Sequence, residues 1–163
     1  MDASKDAVAF APTDGLCDDP SDPRYFDRAL LQKELTRAFS LCASCRMCFK
    51  FCDSFANLFR WLDQRHDGDA RRLTADEAER VLGSCFQCKL CEVQCPYTPR
   101  DKHPFQLDFP RLVHRAMAVR AREKGLTRQQ RFLGDPDRSG RLARASLGLA
   151  NRMNRFAPQR LVL

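Results

Sequence analysis

No stretch of this sequence approaches the roughly 18 uninterrupted apolar residues that a membrane span needs, so any membrane contact is expected to be peripheral or through a partner. It has no glycine-rich phosphate cradle, no flavin or nicotinamide fingerprint and no nucleophile with a base beside it. No substrate-converting site is therefore expected in this chain. Alternating β-branched runs are missing too, which argues against a strand-rich fold. The opening, Met1 to Phe10, does not read as a secretory segment, so the cysteines are expected to be reduced and the protein cytoplasmic.

What the sequence does have is nine cysteines in 163 residues, eight of them in two copies of one pattern. Cys42, Cys45, Cys48 and Cys52 form the first copy, and Cys85, Cys88, Cys91 and Cys95, followed by Pro96, form the second. Three thiols at x2 spacing, then a fourth at x3, match iron–sulfur ligation. Such a loop curls round one corner of a cubane and supplies three irons, but the fourth ligand must come from elsewhere. In two-cluster proteins the last cysteine of each motif ligates the other motif's cluster. The expected ligand sets are therefore Cys42, Cys45, Cys48 and Cys95 for cluster 1, and Cys85, Cys88, Cys91 and Cys52 for cluster 2, giving two 4Fe-4S clusters. Zinc also takes paired C-x2-C thiolates, but a third cysteine at the same spacing, present twice, is redundant for a tetrahedral ion. Cys17 lacks such company and reads as a free, solvent-facing thiol.

Charge divides the chain unevenly. Residues 1–110 hold 15 Lys/Arg and 18 Asp/Glu, whereas residues 111–163 hold 13 and 3. Residues 1–23, rich in aspartate and proline, read as an extended or disordered leader. Asp22-Pro23 reads as the start of a helix running to about Ser40, with Leu30, Leu31, Leu35, Ala38 and Phe39 on one stripe. Asp53 or Ser54 is expected to cap a helix ending near His66 to Asp69, and Thr74 to Glu77 is a capping box opening a third. From Pro96 to Pro110 the prolines impose a loop. A helix from about Phe109 to Lys124 follows, capped by Asp108 and stopped by Gly125, with Arg111, Arg115, Arg120 and Arg122 around its apolar face. Breaks are expected at Gly134 to Pro136 and Ser139-Gly140, before a last helix from about Arg141 to Phe156 carrying Leu142, Leu149, Met153 and Phe156. The reading is a mainly α fold: leader 1–23, an α-helical ferredoxin domain 24–125 with its clusters on loops between helices, and a basic helical tail 126–163.

Within the motifs, Phe49, Phe51, Phe86 and Leu90 read either as shields of the clusters or as ordinary core. Arg46, Lys50 and Lys89 read as a solvated face. His66, His103 and His114 share no ligand spacing, and Trp61 reads as core.

The paired motifs with helical connectors resemble the α-helical ferredoxin domain of succinate dehydrogenase iron–sulfur subunits and of the C-type iron–sulfur subunits of heterodisulfide reductase and anaerobic glycerol-3-phosphate dehydrogenase. Cys85 to Tyr97, then Leu107-Asp108-Phe109-Pro110 running into Leu112 to Ala116, look like the amino-terminal part of the last of these. Members of that family usually continue into two cysteine-rich CCG domains, which these 163 residues lack. Cys52 is also followed by Asp53 where such motifs often have proline. The resemblance implies an electron-transfer subunit or fragment of a respiratory-type oxidoreductase. Its partners would be a protein donor and acceptor, among them a separate CCG-domain chain, with peripheral contact at the inner face of the membrane through the basic tail. The alternative is a nucleic-acid-binding protein with structural metal and a basic C-terminal patch. Against it, no aromatic stacking platform accompanies the arginines.

Overall fold

The computed structural model describes residues 10–149 and Arg152, and among these it contains helices and turns but no strand. The chain divides into two compact units, Met1–Glu123 and Lys124–Leu163.

In the first unit a 3-10 turn over Pro23–Phe26, capped by Asp22, precedes α1 (Arg28–Cys45). The single helix expected from Pro23 thus restarts at Asp27, whose carboxylate accepts the Leu30 amide at 2.9 Å. It also runs past Ser40, because nothing in Ser40 to Ser44 breaks it. The Ser40 and Ser44 hydroxyls donate back to carbonyls one turn earlier. As a result Cys42 and Cys45 lie on the last turn of a helix rather than on a loop. α2 (Asp53–Arg65) follows, then a short 3-10 turn at Ala70–Arg72 and α3 (Ala75–Gly83), which opens with the expected capping box. α4 (Leu90–Gln94) lies inside the second motif, and at five residues it is too short for periodicity to reveal. α5 (Phe109–Lys124) has the expected bounds: Asp108 accepts the Arg111 amide at 3.0 Å, and Gly125 adopts φ +71° just past its end.

The core of this unit is built from one stripe of each helix: Leu31, Leu35, Ala38 and Phe39; Phe55, Leu58 and Leu62; Ala78 and Val81; Leu112, Val113 and Ala116. Phe109 joins three of these helices, its ring 4.8 Å from Phe55 and 6.3 Å from Phe39. Each such side chain contributes about 1.5–3 kcal/mol when fully buried. Ser54 donates to the Val81 carbonyl at 2.7 Å and ties the start of α2 to α3. Trp61 is core, as expected.

Residues 10–22 have no regular secondary structure yet are fastened to the helices by two buried arginines. Arg37 of α1 pairs with Glu34 and donates to the carbonyls of Phe10 and Phe105. Arg115 of α5 donates to the carbonyls of Gly15, Arg24 and Tyr25, at 2.5–2.8 Å, and lies over the Tyr25 ring. The strap comes so close to α1 at Gly15 that a Cβ there would sit 2.7 Å from the Leu30 carbonyl oxygen. Two expectations change here. Cys17 is not solvent-facing: it belongs to this strap, is 7% exposed, and is unbonded to any other cysteine. Arg115 is buried rather than on the solvated side of α5, where Arg111, Arg120 and Arg122 are exposed but engaged. Arg111 pairs with Asp108 and Asp18, Arg120 with Glu79, and Arg122 covers the Phe26 ring.

In the second unit Thr127 opens α6 (Arg128–Leu133) with a capping box, and Asp135 caps α7 (Pro136–Ala145). α7 runs through Ser139-Gly140, where a break was expected. Its start is set by the Asp135 cap with proline at the first position, and the Ser139 hydroxyl donates to the Phe132 carbonyl. The turn falls later, at Leu147 (φ +48°) and Gly148 (φ +86°), so the expected helix from Arg141 begins earlier and is interrupted. Met153 and Phe156 lie outside the described residues. Leu142 and Leu149 are exposed, and no described residue of this unit is buried.

The connector between the motifs is pinned by Glu77. Burial would raise its carboxyl, but bonds from the Thr74 amide, Arg65 and His66 outweigh this and bring it down to about 2. Folding thus favours the carboxylate, and that contribution is present above the ordinary glutamate range and is lost as pH falls toward 2. Replacing Glu77 with Gln is expected to cost about 1–2 kcal/mol. Thermal unfolding of both proteins from pH 7 to pH 3 should show a constant deficit that narrows only below about pH 4.5.

Candidate metal centre

The two motifs share more than spacing. The residue after the second cysteine is Arg46 in one and Lys89 in the other, and both adopt left-handed backbone, φ +56° and +61°. This is uncommon for residues other than glycine and reverses the chain between the second and third thiols. Arg46 ends α1, and its amide donates to the Cys42 carbonyl at 2.8 Å; Lys89 stands at the N-cap of α4. Arg46 is not merely solvated: its guanidinium makes two bonds to Asp63 of α2 and lies 5.4 Å from the Phe59 ring centre, fastening the first motif to α2.

α2 and α3 fold back so that the second motif meets the first. A small cavity is lined by Cys42, Cys45 and Cys48 together with Cys95, and is walled by Leu41, Phe59, Tyr97 and Leu107. Electrostatic influence links the thiols both within and between the motifs. Burial, then the neighbouring Cys48, Cys95, Cys91 and Cys45, push the Cys42 thiol well up. Burial, then Cys95, Cys45 and Cys52, bring Cys48 to about 11. On the other side, burial raises Cys85 against a bond from the Gln87 amide, with Cys52 and Cys88 adding to the rise. Burial, then Cys48, Cys85, Cys52 and Cys88, bring Cys91 to about 12. Cys95 is raised by burial, partly offset by the Tyr97 amide. Without metal these groups are thiols at neutral pH, and a metal that binds them displaces their protons.

The donor set suits a polynuclear cluster. All nine cysteines are free of disulfides. The thiols lie near enough to perturb one another, yet among the described residues no three His, Cys, Asp or Glu groups converge on a single ion. A cluster spreads its thiolates over separate iron corners, as this arrangement allows. Cys52 stands at the N-cap of α2 with no side-chain bond to the first-turn amides.

Tyr97 belongs to this site and was not singled out by sequence reasoning. It lines the same cavity as Cys42, Cys45, Cys48 and Cys95, and the neighbouring Cys45, then burial, raise its pKa. Its position two residues after Cys95 was the available signal. The histidines stay outside: His66 pairs with Glu77, His103 accepts the Phe105 amide, and His114 is exposed on α5. Phe86 and Leu90 do not shield a cluster, being 79% and 53% exposed. Phe49, by contrast, stacks on Phe59 with centroids 6.4 Å apart.

Residues 41–98 match the family model of the 4Fe-4S dicluster domain. No curated protein and no solved structure matches the chain. The match supports an iron–sulfur, electron-transfer role for this region. No described helix is long and apolar enough to cross a membrane.

A polar group beside ligating sulfurs raises a cluster's potential, and Tyr97 lines the cavity of the first-motif thiols. Tyr97→Phe is expected to lower the potential of one of two redox transitions by on the order of tens of mV, with iron content unchanged, as read by EPR-monitored titration.

Proposed function

We propose that this chain is an electron relay holding two 4Fe-4S clusters with crossed ligation, one on Cys42, Cys45, Cys48 and Cys95, the other on Cys85, Cys88, Cys91 and Cys52. The observation that carries the reading is the cavity in which Cys95 joins the three thiols of the other motif. When bound, each cluster takes up and releases one electron at a time. The chain's own residues hold the thiolates and exclude water, through Leu41, Phe59 and Leu107, and Tyr97 lines the same cavity. Cys91 feels Cys48 as well as its own motif, so the two sites adjoin, as a relay requires.

The relay serves a respiratory-type oxidoreductase of the heterodisulfide reductase or glycerol-3-phosphate dehydrogenase kind, between a protein donor and acceptor, the latter a CCG-domain chain. It works in the cytoplasm. Its arginine-rich tail, with nine Lys/Arg and two Asp/Glu in residues 124–163, docks the complex, with peripheral contact at the inner face of the membrane. The nucleic-acid alternative gains nothing, since the arginines of α5 are engaged within the protein.

Anaerobically purified protein is expected to be brown, to hold about eight irons per chain and to bleach on dithionite; a colourless zinc protein would overturn the proposal. Cys52→Ser should chiefly remove the EPR signal of the cluster held by Cys85, Cys88 and Cys91. Selective loss of the other signal would refute the crossing.

A further inference from the structure

We infer that the second motif carries the face at which this protein exchanges electrons with a protein partner, and that the partner docks on an apolar patch of Phe86, Leu90 and Val93 around Cys88. This rests on the relay reading and adds which of the two motifs meets the partner, and by what contact.

Of the eight motif cysteines, Cys88 alone is exposed. Phe86, two residues before it, is 79% exposed, and Leu90 and Val93, two and five after it, are 53% and 64% exposed. Leu90 and Val93 are three apart on α4, hence on one side of it, and α4 buries no residue of its own. Large apolar groups gathered at one exposed site mark an interaction surface. The first motif exposes apolar groups too, Met47, Phe49 and Phe51 at 51%, 53% and 37%, but no cysteine opens among them: its four are all partly buried, and its cavity is walled by Leu41, Phe59, Tyr97 and Leu107.

Beside the patch runs an open groove lined by Gln87, Lys89 and Glu92 from the motif and by His114 from α5. Among the described residues the side chains of Lys89, Glu92 and His114 have no bonded partner. An apolar centre with a charged rim is the ordinary anatomy of a protein interface. Residues 1–123 hold 19 Lys/Arg and 19 Asp/Glu, so this unit has no net charge to steer a partner of one sign. The occupant that fits is an electron-carrier protein whose redox centre opens on an apolar surface with a rim of both signs, an acid to meet Lys89 and a base to meet Glu92.

The test uses cytochrome c as a macromolecular oxidant and hexacyanoferrate(III) as a small one, each mixed by stopped flow with the anaerobically reduced full chain. Each productive encounter with cytochrome c oxidises this protein by one electron and reduces the ferric haem iron by one. The double variant Phe86→Ser, Val93→Ser should slow the reaction with cytochrome c at least about tenfold and that with hexacyanoferrate(III) by less than about twofold. Cytochrome c should also slow amide hydrogen exchange over residues 85–95 in the wild type and not in the variant. If the double variant loses iron, the single variant Leu90→Ser is measured instead, with the same contrast between the oxidants expected. Unchanged rates with cytochrome c overturn the inference, as does slowing by Met47→Ser, Phe49→Ser in place of the second-motif variant. So does a patch whose substitution only dissolves a dimer or releases the protein from anionic vesicles. A protein that holds no iron fails the relay reading itself, which iron analysis reports separately.

Discussion

The ferredoxin unit depends on bringing a cysteine from one end of a 43-residue offset back to the other end. In the relay proposed above the fourth thiol of the first cluster comes from the second motif, and the connector has to bring the chain back to the first. Two helices do this. α2 leaves from Cys52, which stands at its first turn, and α3 comes back against it, with Ser54 bonded to Val81 at their meeting point. Glu77 holds the turn between them by binding Thr74, Arg65 and His66 together. The cavity where Cys95 joins Cys42, Cys45 and Cys48 follows from that return.

The same helices also organise what covers the site. α1 and α5 each contribute one buried arginine; Arg115 gives all its donors to backbone carbonyls of other segments, and Arg37 divides its own between Glu34 and two such carbonyls. Binding a strap by its carbonyls leaves its side chains free, which explains how an aspartate- and proline-rich segment can be ordered. It also keeps the charge of Arg115 satisfied without a carboxylate, since a buried guanidinium needs its fork of donors filled. The strap in turn buries its own Cys17, a thiol that belongs to the core and not to the metal chemistry.

Much of this was legible beforehand, for identifiable reasons. The helix over Phe109–Lys124 had a cap, an apolar stripe and a stopping glycine, all local signals, and its bounds came out as read. The Thr74 to Glu77 capping box was equally local. What failed to show was decided at a distance. α1 outran its expected end because helices stop only where something stops them, and α4 was too short to have a period. Arg115 looked like its neighbours on α5, because a buried arginine and an exposed one have the same sequence signature. Tyr97 carried a positional hint, but the cavity it shares with Cys45 joins residues 52 apart in the chain.

The sequence by itself determined the chemistry: two repeats of four cysteines name the kind of metal group they suit, because ligand number and spacing are written along the chain. It also determined the helical class, since hydrophobic period and caps act over a few residues. Only the tertiary structure decided how the repeats differ. Folding walls the thiols of the first behind Phe59, Tyr97 and Leu107, and leaves Cys88 of the second open among Phe86, Leu90 and Val93. Exposure depends on which segments pack against a residue, and no spacing rule within a motif encodes that.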